Sequence, residues 1–342
     1  MFFAYPLLRP LLFQLQPETA HHLSFQLLKG LAWWPASLCS FAQESKLQKK
    51  MMGLEVRNLL GLAAGLDKNG ELLKVWDKLG FGFIEVGTVT PLAQMGNPKP
   101  RLFRLVKDTA LINRLGFNNL GVDALVENIR TYQGQALLGV NIGKNKDTPN
   151  EKAGEDYLTC FHKVAPYADY ITINISSPNT PGLRELQKAD YLNTLLYKLK
   201  EAQSKYSSAK KPLPICVKIA PDIEINDLDE MLNSFLIYKI EGVIATNTTI
   251  ARNLNLKDSQ QNEQGGLSGA PLFEKSNQIL SHIKAHVGNR ITLIGVGGIT
   301  DGATAAKKLE SGADFLQIYT GLIYKGPSLI QEILSQISHK ES

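Results

Sequence analysis

The chain has 342 residues, 44% of them hydrophobic and 20% charged, with a formal net charge of +5. That composition supports a sizeable core and excludes a disordered chain, and so small a positive charge suits an anionic ligand or an acidic membrane surface better than nucleic acid. The three cysteines, Cys39, Cys160 and Cys216, have no paired spacing, so neither a disulfide framework nor a zinc or iron–sulfur site is expected, and redox chemistry would need an organic cofactor.

The first 41 residues differ from the rest. They hold eight aromatics (Phe2, Phe3, Tyr5, Phe13, Phe25, Trp33, Trp34 and Phe41). The apolar run from Phe2 to Leu15 is broken by Pro6, Arg9 and Pro10 and is too short to span a bilayer. It has neither a basic leader nor a small-residue cleavage pattern, so a signal peptide is not expected. Pro17-Glu18-Thr19 reads as a helix start, and Ala20, Leu23, Leu27, Leu31 and Trp34 follow at helical spacing. Two short apolar helices could form a hairpin lying on a membrane, or a cap packed on the main domain or on a partner. His21 and His22 read as helix-surface residues. Residues 42–58 read as a linker.

Beyond it, short apolar runs alternate with helical stretches: Leu59–Ala63, Phe83–Val86, Leu137–Val140, Tyr170–Ile173, Ile215–Val217, Val243–Ala245, Ile291–Ile294 and Phe315–Ile318. Eight such units predict a (β/α)8 TIM barrel over residues 59–342, whose strand ends build the active site. Every predicted strand ends in polar or glycine-rich sequence. The richest end is Asn174-Ile175-Ser176-Ser177-Pro178-Asn179-Thr180, after the alternating Ile171–Ile175 run. One such segment could be a polar turn, but eight together predict a site.

The last two ends suggest its ligand. Gly295-Val296-Gly297-Gly298-Ile299 and Tyr319-Thr320-Gly321 follow strands seven and eight, where barrels hold phosphate on bare backbone amides. A Rossmann fingerprint fails because its third glycine would fall on Thr300, so a mononucleotide phosphate is favoured over a dinucleotide. A second glycine cluster, Gly265–Gly269, could close on the same group. Lys218 ends strand five deep in the mouth, where a reduced flavin's negative charge would offset its burial. Asn113, Asn141, Asn174, Asn179 and Asn247 offer uncharged donors and acceptors suited to a cyclic amide or imide, and Lys68 adds a cation for a carboxylate. Ser177 has no histidine near it in sequence, so a hydrolase triad has little support. A flavin-free barrel isomerase or lyase is the rival reading, and a protein-docking role is the rival for the hairpin.

These motifs together resemble the dihydroorotate dehydrogenases, more narrowly their class 2, quinone-dependent form. The likeness rests on Ala63–Gly70, Gly87–Pro91, Asn113–Asn119, Asn141–Asp147, Asn174–Leu183, Ala245–Thr249, Gly265–Gly269 and Gly295–Ile299, with Pro17–His21 in the hairpin. The resemblance implies FMN, oxidation of (S)-dihydroorotate to orotate in pyrimidine biosynthesis, and electron transfer to a membrane quinone. It implies Ser177 as the base, where the class 1 enzymes use cysteine. It implies Lys68, Asn113, Arg114, Leu115, Gly116, Phe117, Asn174, Asn179, Asn247 and Thr248 as substrate-binding residues. For FMN it implies Ala63, Ala64, Gly65, Leu66, Asp67, Thr88, Asn141, Asn174, Lys218, Thr246, Gly269, Gly298, Tyr319 and Thr320. Quinone access would involve His21, Arg104 and Tyr319. Peripheral attachment to the cytoplasmic face of the inner membrane is expected, with neither nucleic acid nor metal as a partner.

Overall fold

The computed structural model describes residues 5–31, 47–180 and 182–340. Phe2, Phe3, Trp33, Trp34, Cys39, Phe41, Pro181, residues 42–46 of the expected linker and the side chain of Leu31 lie outside them. In chain order, helices α1 (Tyr5–Gln14) and α2 (Pro17–Leu31) lead into a small antiparallel hairpin of β1 (Lys49–Met51) and β2 (Leu54–Val56). The repeating part then runs β3 (Leu60–Leu62), α3 (Leu73–Lys78), β4 (Phe83–Val89), β5 (Leu102–Leu105), β6 (Ala110–Asn113) and α4 (Val122–Ile129). It continues with β7 (Leu137–Ile142), α5 (Ala153–Val164), β8 (Tyr170–Asn174), α6 (Ala189–Ala209), β9 (Ile215–Ile219) and α7 (Ile225–Ile237). Then come β10 (Gly242–Ala245), β11 (Gly266–Gly269), α8 (Phe273–Val287), β12 (Thr292–Val296), α9 (Gly302–Glu310), β13 (Phe315–Ile318), α10 (Thr320–Lys325) and α11 (Ser328–Lys340).

Eight of these strands close a parallel barrel in the order β10-β12-β13-β3-β4-β7-β8-β9. They are the eight expected strands, with ends shifted by up to three residues. Inside the barrel, aromatic rings of Phe83, Tyr170 and Phe315 meet near its floor, with centroids 6.2–6.4 Å apart. Gly139 makes room for them, since a Cβ there would lie 2.1 Å from the Tyr170 ring. One layer higher the interior turns polar at Glu85, which is fully buried.

Two parts of the fold differ from expectation. The stretch read as a linker is partly structured: Met51 and Val56 of the β1–β2 hairpin are buried in the barrel core, and Met52 Sδ lies 3.2 Å from Cys216 Sγ. Its run of lysines hides a short alternation whose buried members are only Met51, Leu54 in part and Val56. The second difference is a three-stranded antiparallel sheet, β11-β6-β5, standing over the mouth. It pairs Asn113 with Gly266 and so carries two of the predicted motifs to one place.

The amino-terminal helices pack on the carboxy-terminal side of this sheet and barrel. The Tyr5 hydroxyl donates to the Ile323 carbonyl, Arg9 to that of Tyr324 at 3.0 Å, and Phe13 meets the Tyr324 ring edge-on at 5.4 Å. On α2, Ala20 and Phe25 are buried, and Glu18 forms an ion pair with Arg101 at 2.9 Å. Leu7, Leu8, Leu11, Leu23 and Leu27 face outward instead, with Leu7 78% exposed. Among the described residues, no helix is long and apolar enough to cross a membrane.

Candidate active site

The strand ends converge on one deep cavity, where about 1000 Å³ of space, part of it open to solvent, is not filled by protein atoms. Its wall includes Ala63, Ala64, Gly65, Lys68, Thr88, Asn113, Leu115, Gly116, Phe117, Asn174, Ser177 and Asn179. Lys218, Thr246, Asn247, Thr248, Gly269, Gly298, Tyr319 and Thr320 complete the predicted set that lines it. Four of the residues predicted for substrate or FMN do not reach the wall. Asp67 is wholly buried and binds inward, accepting from the backbone of Glu71 and Leu72 and from Trp76 Nε1. Leu66 is buried in the core beside it. Arg114 turns outward to pair with Glu263 at 2.7 Å, and Asn141 sits behind Thr88, accepting from its hydroxyl.

Each wall residue is held by the element that carries it. Asn174, at the end of β8, donates to Thr88 Oγ1 at 2.8 Å and accepts from Ser176 Oγ at 2.9 Å. Asn247 donates to the same Ser176 oxygen at 2.9 Å. Asn179 donates to Asn113 Oδ1 at 3.1 Å, linking the loop after β8 to the β6 end. Arg184 then ties two rim loops together, donating to the carbonyls of Ser176 and Thr248 while pairing with Asp222. The amides are therefore preorganised, which lowers the ordering cost of binding.

Ser177 is buried, and its Oγ accepts the Asn179 N–H at 3.2 Å. That contact leaves the hydroxyl proton unused and fixes the rotamer. The hydroxyl of Thr180, three residues on, is buried with no hydrogen-bond partner among the described residues. The Lys68 ammonium donates to the Gly65 carbonyl at 2.9 Å, and burial, with nearby Arg101, lowers its pKa to about 8.

Below the wall lies a network that sequence reasoning missed. Glu85 Oε2 accepts from Tyr170, Thr172 and Gln317 at 2.9–3.2 Å, and Oε1 accepts from Asn141 at 2.9 Å. Asn141 leads to Thr88, Asn174, Ser176 and Asn247, so hydrogen bonds run from the barrel interior to its rim. The signal was present: in Phe83-Ile84-Glu85-Val86 a carboxylate takes an inward position of an otherwise apolar strand. Lys218 is buried above this layer, makes no hydrogen bond among the described residues, and has its pKa lowered by burial, with Glu85 opposing that shift.

At the far side, Gly297 and Gly298 adopt φ of +114° and +76°, and a Cβ on Gly298 would lie 2.5 Å from Phe273. Bare backbone is required there, at the start of α8. Thr320 begins α10 and donates to Ser268 Oγ at 2.9 Å. These features fit a bound mononucleotide with an electron-rich ring: glycine backbone for its phosphate, an unpaired buried ammonium, and the buried, unpartnered Gln317 Oε1 that lines the cavity.

The quinone-access candidates lie at the cavity and at the amino-terminal helices. Tyr319 lines the cavity. Arg104 lies under α1, its guanidinium 4.7 Å from the Phe13 ring centre and donating to the Leu15 carbonyl at 2.8 Å. His21 stacks on Phe25 at 4.2 Å, and burial with nearby Lys68 pushes its pKa down to about 3.

Residues 46–340 match the sequence model of the family described as dihydroorotate dehydrogenase. A relative from Idiomarina loihiensis named dihydroorotate dehydrogenase (quinone) is 50% identical over 97% of this chain and 100% of its own length. One of the same name from Legionella pneumophila is 51% identical, covering 98% of this chain and 99% of its own. A crystal structure of DHODH from Eimeria tenella in complex with ferulenol superposes with a TM-score of 0.88 at 37% identity, covering 95% of this chain and 91% of that one. With the family match spanning the whole barrel and half of all positions identical in full-length relatives, the chain belongs to the dihydroorotate dehydrogenase family.

Proposed function

We propose that this chain oxidises (S)-dihydroorotate to orotate in pyrimidine biosynthesis, using FMN and passing the electrons to a membrane quinone. The observation that carries the reading is the meeting, in one cavity, of Ser177, four uncharged amides, the buried Lys218 and the half-buried Lys68. Asn113, Asn174, Asn179 and Asn247 match the donors and acceptors of a cyclic imide, and Lys68 matches its carboxylate. Ala63, Ala64, Gly65, Thr88, Lys218, Thr246, Gly269, Gly298, Tyr319 and Thr320 would hold FMN, with Asn141 acting through Thr88. When bound, FMN supplies the acceptor for the hydride leaving C6 of the substrate.

The chain's own part is at C5. Ser177 Oγ takes the C5 proton as the C5–C6 double bond forms. The Asn179 N–H at 3.2 Å steadies the oxygen as it gives up its own hydrogen. A serine hydroxyl is a weak base and must hand a proton onward, and the unpartnered Thr180 hydroxyl offers a first acceptor on a water-mediated path. Phe117, at the cavity wall and 9% exposed, limits the water reaching the ring.

Residues 1–41 form the membrane and quinone unit of this reading, and residues 59–342 the flavin barrel. The outward leucines of α1 and α2 support a helical pair lying in the interface plane, which would place the protein peripherally on the cytoplasmic face of the membrane. His21, Arg104 and Tyr319 would lie along the quinone's way to the flavin.

Ser177→Ala tests the chemistry. The variant should keep its FMN and bind orotate, while anaerobic flavin reduction by dihydroorotate slows by roughly 10²–10⁴-fold, the usual contribution of a positioned base. Reduction at the native rate would assign the C5 proton to another residue.

A further inference from the structure

Outside the mouth, on the barrel's outer layer, helices α7 and α8 carry two facing pairs. Asp229 and Asn233 stand one turn apart on α7, His282 and His286 one turn apart on α8. Each pair across the gap is separated by 53 residues, so the two helices run parallel and in register. We infer that Asp229, His282 and His286 form a binding site for one divalent transition-metal ion, which clasps α7 to α8.

In the metal-free chain His282 Nε2 is hydrogen-bonded to Asp229 Oδ1 at 2.6 Å and His286 Nδ1 lies 3.1 Å from the same oxygen; an ion that replaces these contacts would meet three ligand atoms that all fall within 4.8 Å of one another. Imidazole nitrogens with one carboxylate suit zinc, nickel or copper rather than calcium or magnesium, whose ligands are oxygens. The three side chains are half-buried, so water can complete the coordination shell.

The fourth residue provides the independent observation. His286 Nε2 sits 3.0 Å from Asn233 Oδ1, and a ring that donates there presents its Nδ1 toward Asp229 Oδ1, 3.1 Å away. The arrangement, with a side-chain carbonyl fixing the tautomer of a ligating histidine from behind, is the outer-shell pattern of protein metal sites. The ligands come from both helices, so the bound ion would oppose their separation and stabilise the folded chain by mass action.

The test uses the full-length, FMN-loaded protein freed of metal by a chelator and titrated with Zn²⁺ alone. Titration calorimetry should give one saturable site per chain, and Tm should rise by several degrees at roughly 100-fold excess over Kd. In the double variant His282→Ala with His286→Ala, both signals should disappear while dihydroorotate-driven flavin reduction stays unchanged. Asn233→Ala, which removes only the tautomer-fixing acceptor, should weaken Zn²⁺ binding by roughly 10–100-fold. Equal Zn²⁺ affinity in wild type and double variant would overturn the assignment, as would a wild-type Tm indifferent to Zn²⁺.

Discussion

Lys68 is the cation proposed for a substrate carboxylate, and burial holds its pKa near 8. Below that pH the free enzyme presents an ammonium, and above it a neutral amine. KM for dihydroorotate should therefore climb as pH rises past about 8, more steeply than kcat falls, because bound substrate itself favours the charged lysine. A KM flat from pH 7 to 10 would remove Lys68 from carboxylate recognition. The sign for stability is the reverse of a salt-bridged lysine. Between about 8 and the ordinary value of 10.5 the unfolded chain holds a proton that the folded one has lost, so this group's contribution to stability improves as pH rises through that window. Glu85 makes the other prediction at this scale. Its four donors leave no room for the amide hydrogens of Glu85→Gln, which would set donor against donor and leave Lys218 without a nearby carboxylate. The variant should lose about 1–3 kcal/mol of stability and release FMN on gel filtration. Unchanged Tm and flavin content would mean that the network is incidental.

The barrel strands were legible as elements because parallel strands buried on both faces read as near-continuous apolar runs, as at Leu60–Leu62 and Gly242–Ala245. The roof sheet was not legible: Gly266-Leu267-Ser268-Gly269 is glycine-rich and short, and β5 and β6 are four residues each, β5 alternating in burial in a pattern that a loop can share. The β1–β2 hairpin escaped for the same reason. At the site, polar strand ends exposed the rim residues, whereas Gln317 and Glu85 lie inside strands, where only their inward position in a closed barrel gives them a role. The start of α2 at Pro17 was legible from its proline, but which leucines face outward was not, since helical spacing marks a face without saying what covers it. Leu11 and Leu27 are each 62% exposed. Leu11→Glu with Leu27→Glu should spare flavin reduction by dihydroorotate, reduce binding to lipid vesicles, and slow reoxidation by a long-chain quinone while a small soluble acceptor still works. Native turnover with the long-chain quinone would make the hairpin packing structure alone.

For the whole molecule, the proposed function divides two half-reactions between two parts of the architecture. The barrel supplies a preorganised cavity, and the helices over its rim present apolar side chains away from it. A net charge of +5 and outward leucines support the proposed docking on an acidic lipid surface, and no helix among the described residues is long and apolar enough to span it. The central claim, that the cavity joins FMN to dihydroorotate, is tested most directly by an anaerobic absorbance spectrum of the purified full-length protein. Before substrate the spectrum should show an oxidised flavin at about one per chain. Adding dihydroorotate, with no nicotinamide and no quinone, should bleach it, and a quinone should restore it. A colourless protein that still turns dihydroorotate over, or a flavin that dihydroorotate leaves oxidised, would contradict the account.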